Sequence, residues 1–286
     1  MQNKNLKFVF FGTPDLAVYV LKELAEAGYF PSLVVTAPDL KVGRGHKYES
    51  PPVKKWAEDN KIPVLQPKVI DESFINILQE KEYDVFILTA YGKMLPKKIL
   101  NMPKHGILNI HPSLLPRLRG PSPVRSAILN NERNTGATVI VLDEKMDHGP
   151  IVAQESVEID DRDWPPLLPT LEEKLFLKGG KLLVEVMEDY IQGRITPKLQ
   201  DEIKATYCEK IKKEDGLVDL LNDLPKEIYT KYCALYGWPG IYFMKNGKRV
   251  KITEVTFINN ELTIKKVLPE GKKEIKYEDF LSFLEN

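Results

Sequence analysis

Short apolar runs recur along the first two thirds of the chain, separated by segments whose apolar residues fall at helical spacing. Leu6–Phe11 is apolar but for one lysine and breaks at Gly12-Thr13-Pro14. It reads as a buried parallel strand leading into a helix with proline near its first turn. Leu16, Val20, Leu21 and Leu24 then line one face of a helix reaching about Ala27. Further strands are expected at Leu33–Thr36, Val64–Leu65, Val85–Thr89 and Ile107–His111, with helices near Val53–Asn60 and Phe74–Lys81. Strands alternating with helices predict an α/β fold built on a doubly wound, mostly parallel sheet. Thr138–Leu142 and Ile151–Val157 read as later strands flanking the turn Lys145–Gly149, and Leu171–Tyr190 as a long helix.

The pattern changes after residue 192. Residues 193–206 are polar, contain Gly193 and Pro197, and read as a linker. Beyond a helix near Pro225–Leu235, short runs alternate with the hairpin signals Asn246-Gly247, Asn259-Asn260 and Pro269-Glu270-Gly271. The expected organisation is a catalytic domain over 1–192, a linker over 193–206 and a smaller β-rich domain over 207–286. The connection Ala37–Pro52 is long for a strand-to-helix loop, and such loops in compact domains are often functional.

Composition narrows the possibilities. The chain has 286 residues, long enough for two domains, and is 43% hydrophobic and 29% charged, as ordinary globular proteins are. No apolar run approaches the roughly 20 residues of a membrane span. The first apolar stretch is too short for a signal peptide, so the cytosol is the expected location. Cys208 and Cys233 form no CxxC pair and no metal-ligand spacing, and no metal is expected. Forty-one basic residues balance 41 acidic ones, so any contact with a polyanion must rest on local patches. Lys41, Arg44, Lys47, Lys54 and Lys55 form one such patch against a single Glu49; Lys245, Lys248, Arg249 and Lys251 form another. The first strand-to-helix turn lacks G-x-G-x-x-G, which argues against a nicotinamide enzyme.

The candidate chemistry is concentrated in Gly106–Gly120, GILNIHPSLLPRLRG. A strand ending in Asn109-x-His111 and breaking into a proline-bounded loop puts an amide and an imidazole at a sheet's carboxyl edge, where ligands bind in open α/β folds. Asp147, in the later turn KMDHG, adds a carboxylate, and Asp143 competes with it for that role. An amide, an imidazole and a carboxylate from two strand ends make a plausible acyl-transfer site.

These same stretches carry a resemblance. NIHPSLLPRLRG (Asn109–Gly120), TGAT (Thr135–Thr138) and DHG (Asp147–Gly149), with FFGTPD (Phe10–Asp15), APDLKVGRGHKYESPPV (Ala37–Val53), LTAYGKMLP (Leu88–Pro96) and GWPG (Gly237–Gly240), resemble the signature of the folate-dependent formyltransferases over nearly the whole chain. The resemblance implies a Rossmann-like formyltransferase domain followed by a small open β-barrel of the OB type that binds tRNA. It implies 10-formyltetrahydrofolate as formyl donor, tetrahydrofolate as product and initiator methionyl-tRNA as acceptor; a monomer is the separate expectation. Asn109 and His111 would face the formyl oxygen, and Asp147 would accept the amine's proton. Ser113, Leu114, Leu115 and Pro116 would contact folate, with Leu88, Ala90, Tyr91 and Gly92 as the opposite wall. Lys41, Arg44 and Lys47 would clamp tRNA, and Arg119 would order its loop.

His46, His105 and His148 match no family site position and read as surface or turn residues. Cys233–Gly237 departs from the family's usual approach to Trp238-Pro239, which puts the C-terminal RNA contacts in question. Two other readings stay open: a formyltransferase acting on an amino sugar or another small amine, and a non-catalytic RNA- or folate-binding protein.

Overall fold

The structure is a computed structural model and describes residues 6–42 and 47–285. β1 (Phe8–Gly12) is buried throughout and leads into α1 (Asp15–Glu26), whose Ala17, Val20, Leu21 and Leu24 face the core. After β2 (Leu33–Val35), the long connection contains β3 (Leu40–Val42) and β4 (Lys47–Glu49), which pair antiparallel. α2 (Pro52–Asp59) starts on a proline, which lacks the N–H that a first turn leaves unpaired. β5 (Val64–Leu65) precedes α3 (Glu72–Gln79), capped by the Asp71 carboxylate accepting the Phe74 N–H at 3.0 Å. β6 (Val85–Thr89), α4 (Lys97–Leu100), β7 (Ile107–His111), α5 (Pro123–Leu129), β8 (Thr135–Val141), β9 (Ile151–Val157) and α6 (Leu168–Ile191) follow.

The strands form one seven-stranded sheet of order β5-β2-β1-β6-β7-β8-β9. β5, β2, β1, β6 and β7 run parallel, and β8 and β9 are antiparallel additions. The chain winds outward from β1 to β5 and returns to β6, so the order reverses between β1 and β6. Ligands of open sheets bind outside the carboxyl ends at such a reversal. β1 shows why the sheet is covered twice. Phe8 and Phe10 enter the apolar cluster containing residues of α1, α2 and α6, while Val9 and Phe11 enter the one containing α3 and α4. Burying each such phenylalanine stabilises the fold by about 1.5–3 kcal/mol. This is the doubly wound, mostly parallel architecture that the alternating runs predict.

The chain divides into two compact units. The first comprises Met1–Gly120, Asn134–Glu158 and Glu172–Tyr207; the second comprises Pro121–Arg133, Ile159–Leu171 and Cys208–Asn286. The polar stretch 193–206, expected as a linker, is held within the first unit. Lys198 and Ile151 exchange two backbone hydrogen bonds of 2.8 Å, Arg119 donates to the Thr206 carbonyl at 2.9 Å, and Leu118 donates to the Thr206 hydroxyl at 2.8 Å. These bonds attach the stretch to the first unit at Lys198 and Thr206, while most of its side chains stay exposed.

The second unit carries α7 (Pro225–Ala234) and an antiparallel sheet of β10 (Ile241–Lys245), β11 (Lys248–Ile258), β12 (Glu261–Pro269) and β13 (Ile275–Lys276), closed by α8 (Tyr277–Glu285). The small β-rich domain expected there takes the form of an open four-stranded sheet. A parallel bridge from Leu217 to Tyr242 extends it.

Candidate active site

β7 sets the geometry. Leu108 and Ile110 point into one apolar cluster and Ile107 into the other, so strand alternation turns Asn109 and His111 to the face of Ile107. Both are buried polar residues, 6% and 4% exposed. Leu88 of β6 lies in register with Asn109, which brings the expected folate wall beside the amide.

The His111 ring is fixed from two sides. Nε2 lies 2.9 Å from the Leu118 carbonyl oxygen, and because a carbonyl only accepts, Nε2 carries a hydrogen. Nδ1 lies 3.6 Å from Oδ1 of Asp147, just beyond direct hydrogen-bond reach. Nδ1 is the nitrogen left for a reacting group. The other Asp147 oxygen accepts the Gly120 N–H at 2.8 Å. Asp143, the competing carboxylate, instead pairs with Nδ1 of His148. Asp147 therefore faces His111, and His148 is engaged by Asp143.

Three of the eight described non-glycine residues with positive φ lie on the segments that carry these groups. Ala90, Leu118 and Asp147 have φ values of 47°, 57° and 50°, the left-handed region that residues with a side chain rarely adopt. Each costs on the order of 1–2 kcal/mol, a cost that surrounding contacts must offset. At Leu118 and Asp147 those contacts include the bonds to His111 and Gly120 just described.

The Ser113–Pro116 loop is stitched to β8. The buried Thr138 hydroxyl donates to the Ser113 carbonyl at 2.6 Å and accepts the Leu115 N–H at 3.2 Å. Gln154 donates to the Leu115 carbonyl and to the Thr138 hydroxyl, both at 2.8 Å. Opposite, Tyr91 is buried with its ring edge-on to Phe11, centroids 5.4 Å apart. Its hydroxyl, like those of Thr36 and Thr89, is buried without a partner, and burial pushes its pKa up to about 12. Ala90 is half-buried and Gly92 exposed.

Two residues beyond the predicted set support the site. Arg119, expected only to order its loop, is fully buried and bonds Gln200, Glu202 and Tyr207. Glu202 holds the guanidinium's pKa above its ordinary value. Gln200 gave no signal in sequence, being one polar residue in a polar run. Of the basic residues proposed to hold nucleic acid, Lys41 and Lys47 lie on the paired strands β3 and β4, and Arg44 lies outside the described residues. The same patch loses two members to ion pairs: Lys54 bonds both Asp39 oxygens at 2.8 and 2.9 Å, and Lys55 reaches Glu49 at 3.4 Å. Among the described residues, no three His, Cys, Asp or Glu side chains form a group able to hold a metal ion. No described helix is long and apolar enough to cross a membrane.

An amide, an imidazole and a carboxylate at the carboxyl edge of a doubly wound sheet are the equipment of acyl-group transfer. Comparison with known proteins narrows the class. Residues 6–187 match the family model described as formyl transferase, and residues 210–263 match the formyl transferase C-terminal domain. The chain belongs to the formyl transferase family. Among its relatives are the methionyl-tRNA formyltransferases of Thermodesulfovibrio yellowstonii, 39% identical, and Bacillus subtilis, 37% identical. Each alignment covers 96% of this chain and 94% of the relative. Similar folds include a Clostridium thermocellum methionyl-tRNA formyltransferase, with a TM-score of 0.60, 16% identity and coverage of 92% of this chain and 98% of the other. Another is a Helicobacter canadensis N-formyltransferase in complex with folinic acid and dTDP-3-aminofucose, with a TM-score of 0.67, 19% identity and coverage of 95% and 98%.

Proposed function

We propose that the protein transfers the formyl group of 10-formyltetrahydrofolate to the α-amino group of methionine on initiator methionyl-tRNA, giving N-formylmethionyl-tRNA and tetrahydrofolate. The observation that carries this reading is the near full-length relationship to methionyl-tRNA formyltransferases, at 39% identity. The approach of Asp147 to His111, with Asn109 on the same face of β7, supports this chemistry. The amine nitrogen attacks the formyl carbon, and negative charge moves to the formyl oxygen. The Asn109 carboxamide and the Nδ1–H of His111 stabilise that charge; one such donor is worth about 3 kcal/mol. Asp147 accepts the amine's proton, directly or through water. The carbon–N10 bond then breaks as N10 gains a proton.

In this reading Ser113–Pro116 and the Leu88, Ala90, Tyr91 and Gly92 wall bind the folate. The unpartnered Tyr91 and Thr89 hydroxyls support a polar ligand there. Lys41, Arg44 and Lys47 hold the tRNA, and the enzyme works as a monomer in the cytosol. The discriminating experiment offers 10-formyltetrahydrofolate together with charged initiator tRNA and a nucleotide-linked amino sugar. Formylation of the tRNA alone is expected; preferential formylation of the sugar amine would contradict the assignment.

A further inference from the structure

Arg119 is the largest fully buried side chain among the described residues. A buried guanidinium is tolerated only when its donors are paired. Nε and Nη2 donate to Oε1 of Gln200 at 3.0 and 2.8 Å. Nη1 and Nη2 donate to the Glu202 carboxylate at 3.0 and 2.7 Å, and Nη1 to the Tyr207 hydroxyl at 3.1 Å. This fixes which way the Gln200 amide points. Its oxygen must face Arg119, so its NH₂ donates to the carbonyls of Asp147 and Gly149, at 2.8 Å each. The flipped amide would set donors against donors and acceptors against acceptors.

The bonds close a ring. Leu118, before Arg119, accepts from His111, and Gly120, after it, donates to the Asp147 carboxylate. Arg119 itself reaches the main chain of the Asp147 turn through Gln200, at a residue held in the left-handed region. We propose that Gln200 is a positioning residue for formyl transfer: oriented by Arg119, it holds the Asp147 main chain and so sets the Asp147 carboxylate against His111. This rests on the reading that Asp147 takes part in the chemistry.

Gln200→Glu isolates the role, because it keeps an acceptor for Arg119 and removes both donations to the turn. Activity is measured with 10-formyltetrahydrofolate and methionyl-tRNA. Its kcat should fall roughly tenfold to a hundredfold, as small misplacements of reacting groups do. Folate binding and both KM values should stay within about twofold, since ground-state contacts are untouched. In an Asp147→Asn background, Gln200→Glu should add no further loss, because it acts through the carboxylate already removed. Wild-type kcat in Gln200→Glu, or losses that multiply in the double variant, would overturn the proposal. Full activity in Asp147→Asn would overturn the reading of Asp147 itself and this inference with it. Gln200→Ala, read in the same cycle, guards against an effect of the introduced charge. Loss of folate binding in both Gln200 variants would make the residue one of folding, and the proposal would fall.

Discussion

His111 and Asp147 are both nearly buried, and each is tied by a different residue of 118–120. That dependence extends to Gly149, where a Cβ would stand 1.8 Å from the Val141 carbonyl oxygen. Gly149→Ala must displace the turn that carries Asp147. We expect a stability loss of about 1–3 kcal/mol, typical of overpacking, and a larger fall in kcat than in folate affinity. Thermal unfolding beside steady-state kinetics checks this; normal kcat would show that the turn tolerates displacement. The placement of Asn109, His111 and Asp147 was legible in sequence because a polar pair ending an apolar run and a compact turn are local signals. The choice between Asp143 and Asp147 was not, since what separates them is tertiary: Asp147 faces His111 and Gly120, while Asp143 is taken by His148. Gln200 was invisible because its partners lie 51 to 81 residues away.

At the scale of elements, β8 ties the sheet to the 113–116 loop. A Cβ on Gly136 would meet the Glu155 carbonyl oxygen at 2.2 Å and Leu114 Cδ2 at 2.6 Å. Gly136→Ala should cost about 1–3 kcal/mol and push Leu114 outward, raising the KM for 10-formyltetrahydrofolate. An unchanged KM would detach Leu114 from folate binding. The β3–β4 pair depends on a different anchor. Asp39, directly before β3, accepts from Lys54 and from Gln66 at 2.7 Å, and the Lys54 bond foremost holds its carboxyl below the usual range. Because the folded pKa is depressed, this contribution is present above the unfolded value, about 3.9, and disappears as pH falls through the lower folded value. Asp39→Asn should therefore lower Tm at neutral pH, and the difference from wild type should vanish in strong acid; a difference constant with pH would contradict the pairing. The alternating strands and helices were readable from periodicity. The β3–β4 pairing was not, because runs of three residues carry too little pattern to separate strand from loop.

Across the whole molecule, the second unit is assembled from three separated stretches, which no composition shift announces. α5 buries Val124, Ala127 and Ile128, and Arg125 of that helix donates to the carbonyls of Ala234 and Trp238 at 3.2 and 2.7 Å. A chain ending at Tyr207 would leave this apolar face uncovered and should aggregate. Trypsin should cut first among the exposed Lys210, Lys212 and Lys213, outside the hydrogen-bonded stretch 193–206, and the two pieces should co-elute until denatured. A soluble, monomeric 1–207 fragment released without denaturant would contradict this organisation. The central claim, that Asn109, His111 and Asp147 work as one unit in formyl transfer, is tested most directly by single-turnover rates. The three alanine variants and the triple variant are each given 10-formyltetrahydrofolate and methionyl-tRNA. Each single variant should bind folate yet transfer roughly a hundredfold or more slowly, with the triple variant hardly slower than the worst single, as cooperating groups behave. A His111→Ala enzyme transferring at the wild-type rate, or three losses that simply multiply, would contradict the account.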